Sequence, residues 1–272
     1  MATNSHENTS LKLSIQVSLN GLSFCILNTE SRQIVYYRRH FFEQQLDPIK
    51  TLAQIELQYE KEEQLQQEIS EVKLLFSNQL YSLVPSKYFR EENASSFLKF
   101  NTKILKTDFV AHDELEKQPI VNVYIPYANI LNYFFEKYGE FEYKHSISVL
   151  VESLLQRPGR PQPIMYINKK AKDFDLVVIE NRQLLLCNSF TYETKEDFLY
   201  YILFTAEQLN LNPERFELVL LGDISENSSE LALAKKYVKN VKFLEDKTSY
   251  EFATNVEKPA RNTEDYTIFN SL

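Results

Sequence analysis

The chain has 272 residues, of which 43% are hydrophobic and 25% are charged, a composition typical of a globular protein of one large or two smaller domains. Its formal net charge of −8 argues against general affinity for nucleic acid or an anionic membrane, since both need a basic surface. No apolar run approaches the roughly 20 residues of a membrane span. Residues 1–10 also lack the apolar core of a signal peptide, so we expect a cytoplasmic protein.

The first patterned stretch predicts three β-strands joined by short turns. Apolar and polar residues alternate from Leu11 to Leu19, which is typical of a strand with one buried face. Asn20-Gly21 is a turn signal, and the runs Leu22–Leu27 and Gln33–Phe42 supply the second and third strands. We therefore expect a three-stranded meander at the start of the chain.

A long helix and an inserted region are expected next. Asp47 is a candidate N-cap with Pro48 at the first helical position, and the helix is predicted to reach about Ser70. The region 71–118 has no counterpart in the second half of the chain, so we interpret it as a subdomain inserted into the first lobe. Within it, residues 72–84 are predicted to form a hairpin.

The remainder of the first half alternates strands and helices. We predict strands over residues 102–110, 120–125 and 141–145, and helices over residues 127–138 and 146–156. Three prolines and a glycine between Arg157 and Pro163 then exclude regular structure. A linker, residues 158–163, is therefore predicted to separate two lobes.

The residues after this linker repeat the pattern of the first strands. Residues 165–168 align with residues 15–18, and the alignment continues without a gap until residues 184–186 align with residues 34–36. In each copy, two apolar runs are followed by a polar turn and a third run. A self-similarity over so long a period indicates a duplicated architecture.

The second half continues with helix and strand signals in the same order. Thr194 and Asp197 resemble a capping box that opens a helix, Phe216–Leu221 is a buried strand, and Ser228 is a candidate cap of the next helix. Val241–Leu244 is the last predicted strand. Each lobe therefore has the predicted order β-β-β-α-β-α-β.

The predicted domains follow from this order. We assign residues 1–157 to the first lobe, residues 164–247 to the second lobe, and residues 248–272 to a polar, partly ordered C-terminal tail. The fold class is α/β with two duplicated lobes and a small insertion in the first.

Several short motifs accompany the duplication: Leu83-Val84-Pro85, His145-Ser146, Phe190-Thr191-Tyr192, Asp197–Tyr201 and Leu220–Asp223. Two such lobes in tandem resemble the actin-like ATPase superfamily, which includes actin, hexokinase and acetate kinase. That resemblance implies a ribonuclease-H-like fold for each lobe. The motifs are also similar to those of a narrower Bacteroidota family, domain of unknown function 3822.

In active members of that superfamily, the turn after the first strand of each lobe carries Asp-x-Gly. Its aspartate organises Mg²⁺, and its glycine lets backbone N–H groups close on the phosphates. At these positions the first turn here has Ser18 and Asn20, with Gly21 one place late, and the second turn has Asn168 and Lys170. Phosphoryl transfer depends on such positioning and charge neutralisation. The resemblance therefore implies a degenerate member, a pseudo-ATPase with no catalytic residue and no metal site.

The remaining candidates for a ligand site would also lie in the cleft between the lobes. Gly222 stands alone where active members have paired glycines, in a chain with four glycines altogether. Lys169, Lys170 and Lys172 crowd the second turn. These lysines are either a solvated basic hairpin or a site that holds an anion or a nucleotide without hydrolysis.

Other patterns of chemically active residues are weaker. Asp173 and Asp175 have no third metal ligand nearby in the sequence. His145 and Ser146 are adjacent on a predicted strand and would face opposite ways, which opposes a nucleophile–base pair. The run Tyr36–His40 mixes aromatic and basic residues as RNA-stacking surfaces do, but a strand facing both core and solvent also explains it.

The leading functional hypothesis is a non-catalytic actin-like module that binds a protein partner, either a second copy or another protein. One alternative is a nucleotide-binding protein or a sugar- or acetate-kinase-like phosphotransferase with altered phosphate loops. Another is an RNA-associated protein, which the negative net charge disfavours. No cofactor is expected, apart from ATP or ADP bound without hydrolysis under the first alternative.

Overall fold

The computed structural model of the protein describes residues 10–99, 104–105, 108–116, 118–245 and 250–272. Within these residues the strands form three sheets, of six, five and three strands. The first two sheets belong to two lobes that follow one another along the chain, and the third belongs to an inserted subdomain.

The first lobe begins with three strands and a helix: β1 (Leu11–Ser18), β2 (Gly21–Asn28), β3 (Gln33–Phe41) and α1 (Pro48–Lys61). Its middle part contains β4 (Glu71–Phe76), β5 (Tyr81–Pro85), α2 (Ala94–Leu98), β6 (Ala111–Glu114) and β7 (Ile120–Tyr124). It ends with α3 (Ala128–Tyr138), β8 (Glu142–His145) and α4 (Ser146–Leu155).

The second lobe repeats the same order in β9 (Ile164–Lys169), β10 (Asp173–Glu180), β11 (Gln183–Thr191), α5 (Lys195–Gln208), β12 (Glu217–Gly222), α6 (Ser229–Tyr237) and β13 (Asn240–Phe243). The C-terminal segment, residues 250–272, adds β14 (Glu251–Phe252) and α7 (Tyr266–Phe269).

The two lobes share one topology, which confirms the predicted duplication. The described strands of the first sheet run in the order β14-β3-β2-β1-β4-β8, and those of the second in the order β11-β10-β9-β12-β13. In each, three antiparallel strands continue into parallel strands. Each meander also has a β-bulge at aligned positions, where Val35 in β3 and Leu185 in β11 are the extra, unpaired residues.

The prediction of a hairpin over residues 72–84 is wrong. β4 pairs in parallel with β1 and β8, whereas β5 pairs with β7 in the three-stranded sheet. β4 is therefore the fourth strand of the lobe, a place that the prediction had given to residues 120–125. Its apolar run is buried because β4 lies inside the sheet, between β1 and β8. The strand predicted over residues 102–110 lies partly outside the described residues.

Helix α1 ends earlier than its composition predicts. It is capped by the Asp47 side chain, which accepts a hydrogen bond from Lys50 N at 2.8 Å, as expected. The helix stops at Lys61 rather than near Ser70, and a 3₁₀ turn over Glu63–Gln66 follows it. Leu65 in that turn is buried, so packing of one apolar side chain overrides the helical propensity of the Glu- and Gln-rich segment.

The prediction of a partly ordered tail over residues 248–272 is also wrong for the described residues 250–272. β14 pairs in parallel with β3, and α7 buries Ile268 and Phe269 against Cys25 and Tyr37 of the first sheet. The apolar residues in this segment are few, but they are grouped. Grouping is enough to anchor a short helix that its average composition does not predict.

Helix α4 lies between the two lobes and is buried on nearly all sides. One hydrophobic cluster passes from the first sheet through α4 to the second sheet. It joins fully buried side chains of all three: Ile15, Leu74, Leu150, Val177 and Leu221. The opposite face of the second sheet has a separate core beneath α5 and α6.

His145 is the last residue of β8 and the N-cap of α4, and it is completely buried. Its Nδ1 accepts a hydrogen bond from Ile147 N at 3.2 Å, and its Nε2 lies 3.4 Å from Asn78 Oδ1. The buried carboxylate of Asp113 accepts from His145 N at 2.9 Å. Burial lowers the pKa of His145 to about 3, and the charge of Lys170 contributes to the decrease.

We predict that His145 makes the stability of the fold depend on pH. Above the unfolded pKa of about 6.5 the imidazole is neutral in both states, so its contribution is complete. As pH falls towards the folded pKa of about 3, only the unfolded chain takes up a proton and stability is lost.

The variant His145→Asn replaces the capping Nδ1 of the imidazole with an amide oxygen that can accept the same hydrogen bond, but it does not titrate. The difference in unfolding free energy between the natural protein and the variant should shrink by up to about 1.4 kcal/mol per pH unit below pH 6. Urea unfolding at pH 7, 6, 5 and 4 measures this difference. A difference that stays constant with pH would contradict the prediction.

Two glycines have left-handed backbone but different surroundings. Gly222 ends β12 with φ +81, and a Cβ there would lie 2.1 Å from the main-chain oxygen of Lys169. Gly139 follows α3 with φ +73, and a Cβ there would meet no described atom within 4 Å.

We therefore predict that Gly222→Ala destabilises the protein more than Gly139→Ala does. The second substitution adds only backbone strain, of about 1 kcal/mol. The first adds a collision with backbone to the same strain and should cost about 3 kcal/mol or more. The midpoints of urea unfolding at one pH compare the two variants, and equal midpoints would show that the close approach in β12 is relieved without cost.

Candidate interlobe cleft

A cavity of about 380 Å³ lies between the lobes, where the first turns of both lobes face each other. The predicted residues that line it are Ser18, Asn20, Gly21, Asn168, Lys169, Lys170 and Lys172. Gly222 lies beside the cavity, next to the lining residue Asp223. The fold thus brings the predicted residues together, while their role in binding stays a prediction.

The first turn is closed by its own serine. Ser18 Oγ donates to the main-chain oxygen of Gly21 at 3.0 Å and accepts from Asn20 N at 3.2 Å. Leu19, the residue between them, accepts a main-chain hydrogen bond from Leu46 N at 2.8 Å. The hydroxyl at the position of the superfamily's aspartate therefore stabilises the turn itself, and it supplies no carboxylate for a metal ion.

The positive charge of Lys170 in the second turn is compensated by two aspartates of the same hairpin. Lys170 Nζ lies 2.9 Å from Asp175 Oδ1 and 3.1 Å from Asp173 Oδ1. Asp175 is almost fully buried and also accepts hydrogen bonds from Asn168 Nδ2 at 3.1 Å and Ser189 Oγ at 2.7 Å. Burial alone would lower the pKa of Lys170, but the two aspartates outweigh this effect and raise it.

The other two lysines of this turn differ in their contacts. Lys169 Nζ lies 3.9 Å from Glu230 Oε1 and 5.9 Å from the ring centre of Tyr192. Lys172 is exposed, and within the described part of the chain no carboxylate lies within ion-pair distance of its Nζ. Lys172 is thus the cation of the turn that an anion could reach without breaking an existing ion pair.

An ion-pair cluster that the sequence did not predict crosses the cleft. Arg39 Nη2 of β3 lies 2.8 Å from both carboxylate oxygens of Asp223, which follows β12 in the second lobe. Arg39 Nε lies 3.6 Å from Asp265 Oδ2 in the C-terminal segment, and Tyr37 OH donates to the same oxygen at 3.3 Å. One guanidinium therefore connects both lobes and the C-terminal segment.

The surroundings raise the pKa values of both Arg39 and Asp265. Burial by itself would lower the pKa of Arg39, but Asp265 and Asp223 outweigh it and raise the pKa. Burial raises the pKa of Asp265, although the charge of Arg39 opposes the increase. Arg39 therefore remains charged, and its positive charge compensates the buried negative charge of Asp265.

The C-terminal segment also covers the second-lobe side of the cleft. Gly222 N donates to the main-chain oxygen of Thr263 at 2.8 Å. The Arg261 guanidinium stacks on the Phe243 ring at 4.1 Å and donates to the main-chain oxygen of Ile224. The backbone N–H of the predicted site glycine is therefore already bonded within the chain.

Three further hypotheses can be compared with the geometry. Among the residues that the structure describes, no group of His, Cys, Asp and Glu side chains could hold a metal ion. Within the same ranges, no helix has the length and apolar character needed to cross a bilayer. Tyr36 and Tyr37 are buried, so they are not available to stack on RNA bases.

The comparisons with known proteins agree with this fold. The sequence matches a family described as "Protein of unknown function (DUF3822)" over residues 2–241. No curated protein matches the chain. It is similar to the crystal structure of a Bacteroides thetaiotaomicron protein with an actin-like ATPase fold and unknown function, with 24% identity, 99% of each chain covered and a TM-score of 0.77.

The chain is also similar to a structure of the PilM–PilN type IV pilus biogenesis complex, with 12% identity, 89% of this chain and 90% of that chain covered, and a TM-score of 0.59. At such identities the likeness shows the fold alone, and it confirms the expected pair of actin-like lobes. The chain therefore belongs to the DUF3822 family of proteins of unknown function, and it has the actin-like ATPase fold.

Proposed function

We propose that this protein is a pseudo-ATPase, a non-catalytic actin-like module that acts by binding a protein partner. The observation that carries the proposal is the neutralised second turn. Lys170 occupies the position of the superfamily's glycine and is paired with Asp173 and Asp175. A triphosphate at this turn would have to separate a lysine from two carboxylates of its own hairpin.

The first turn supports the same proposal. A metal-bound triphosphate needs carboxylate oxygens for Mg²⁺ and free backbone N–H groups for the phosphates. Ser18 uses its hydroxyl to close the turn, and Asn20 N already donates to that hydroxyl. Both groups would have to give up existing hydrogen bonds and would supply no negative charge in return.

A surface suited to a protein partner lies on the second lobe. Four aromatic rings form a continuous cluster on β11 and α5: Phe190, Tyr200, Tyr201 and Phe204. Tyr200 is 58% exposed and Phe204 is 44% exposed, and their rings stack at 5.7 Å. Exposed aromatic clusters are typical of protein interfaces. The similar PilM structure is itself that of a complex with another protein, PilN.

We predict that the protein does not bind Mg·ATP or Mg·ADP with micromolar affinity. Isothermal titration of each nucleotide, with and without Mg²⁺, should give only heats of dilution, because entry requires the ion pairs of Lys170 to break. Clear micromolar binding would instead favour the alternative function, a nucleotide-binding or phosphotransferase enzyme. Lys172, the unpaired lysine of the turn among described residues, is the group to substitute in that case.

We also predict that the aromatic cluster on α5 contributes to partner binding. The double variant Tyr200→Ser/Phe204→Ser should lose partners that the natural protein retrieves from native extract, since truncation of an interface aromatic typically costs more than about 1 kcal/mol. Light scattering after gel filtration tests self-association of the same samples.

The variant Phe135→Ser is a matched control, because Phe135 is 64% exposed on α3 of the first lobe. It should retrieve the same proteins as the natural chain. A strictly monomeric protein that retrieves nothing would count against the proposed function. A double variant that retrieves the same proteins as the natural chain would place the partner surface elsewhere, and equal losses in both variants would show that the effect is not specific to the cluster on α5.

A further inference from the structure

The C-terminal segment fills a place between the lobes that a binding partner or ligand would otherwise reach. Its side chains line the cleft at Glu264, Asp265, Tyr266 and Thr267. The segment therefore forms one wall of the cavity in addition to being an ordered end of the chain.

The segment is attached to both lobes by polar groups. In the second lobe, Thr263 accepts from Gly222 N at 2.8 Å and Arg261 donates to Ile224 O. In the first lobe, Thr267 Oγ1 donates to Gln16 Oε1, and Ser271 Oγ lies 2.5 Å from Ser14 Oγ. Along residues 261–271 the contacts pass from the second lobe to the first, so the segment keeps all of them only while the lobes are closed.

Asp265 is the central contact of the segment. Its carboxylate is 4% exposed, and it approaches Arg39, which is itself fixed by Asp223 of the second lobe. Groups in a buried polar network depend on one another, because removal of one leaves the others desolvated and unpaired. The closed position of the lobes and the docked position of the segment are therefore stabilised by the same arginine.

We propose that the C-terminal segment, residues 261–272, is a releasable clasp whose docking through Asp265 holds the two lobes closed over the cleft. When Arg39 loses either aspartate, the clasp and the second-lobe loop at Gly222–Ile224 loosen together. A ligand or partner with an acidic group that enters the cleft competes with Asp265 for Arg39, which lines the cavity. This device does not depend on the proposed absence of catalysis.

Hydrogen exchange of the full-length chain tests the clasp. In Arg39→Gln, amide protection over residues 263–269 and at Gly222 should fall together, by roughly tenfold or more, since a hydrogen bond to a charged group is lost. Asp223→Asn removes the charge of Arg39's partner in the second lobe with little change in side-chain volume. It should lower amide protection in the same two regions. Small-angle scattering should show a larger radius of gyration for both variants.

Arg38→Gln is the matched control, because Arg38 is the neighbouring residue of β3 and pairs at 3.5 Å with the largely exposed Glu257. It should leave the exchange of both regions unchanged. The proposal is overturned if Arg39→Gln and Asp223→Asn leave residues 263–269 protected. It is also overturned if the segment loosens while Gly222 keeps its protection, or if Arg38→Gln has the same effect as Arg39→Gln.

Discussion

The burial of α4 between the two sheets is the interaction on which the rest of this structure depends. A helix that is apolar on nearly all sides is stable only when protein covers every side. The first sheet, the second sheet and α7 together provide that cover. Because one hydrophobic cluster runs through Leu150 from Ile15 to Val177, the two lobes share a core beneath the cleft.

On this apolar base, the polar groups of the cleft satisfy one another. The carboxylate of Asp175 accepts hydrogen bonds from Lys170, Asn168 and Ser189. The guanidinium of Arg39 forms ion pairs with Asp223 and Asp265. Buried ion pairs of this kind add little net stability compared with apolar packing, because desolvation offsets the attraction between charges. Their effect is to define one arrangement of the hairpin and of the lobes. In the second turn, this pairing leaves Lys172 as the exposed lysine without an ion pair among the described residues.

The sequence predicts the architecture well and the long-range contacts poorly. Alternation and the repeat of residues 15–18 at 165–168 are local patterns, so they reveal the meanders, the helix caps and the duplication. Strand pairing is not local, and local patterns therefore predict a hairpin of β4 with β5 that the structure does not contain. Arg39 and Asp223 are separated by 184 residues, and no periodicity connects them. Asp265 was missed because the average polarity of its segment concealed the apolar residues beside it.

The hairpin formed by β9 and β10 carries its own counter-charges. In an enzyme whose closed conformation is stabilised by a bound nucleotide, the population of that conformation depends on the nucleotide concentration. Here the positive group at the turn and its two negative partners lie within six residues of one another, from Lys170 to Asp175. The conformation of this hairpin is therefore stabilised by charges that the chain itself supplies.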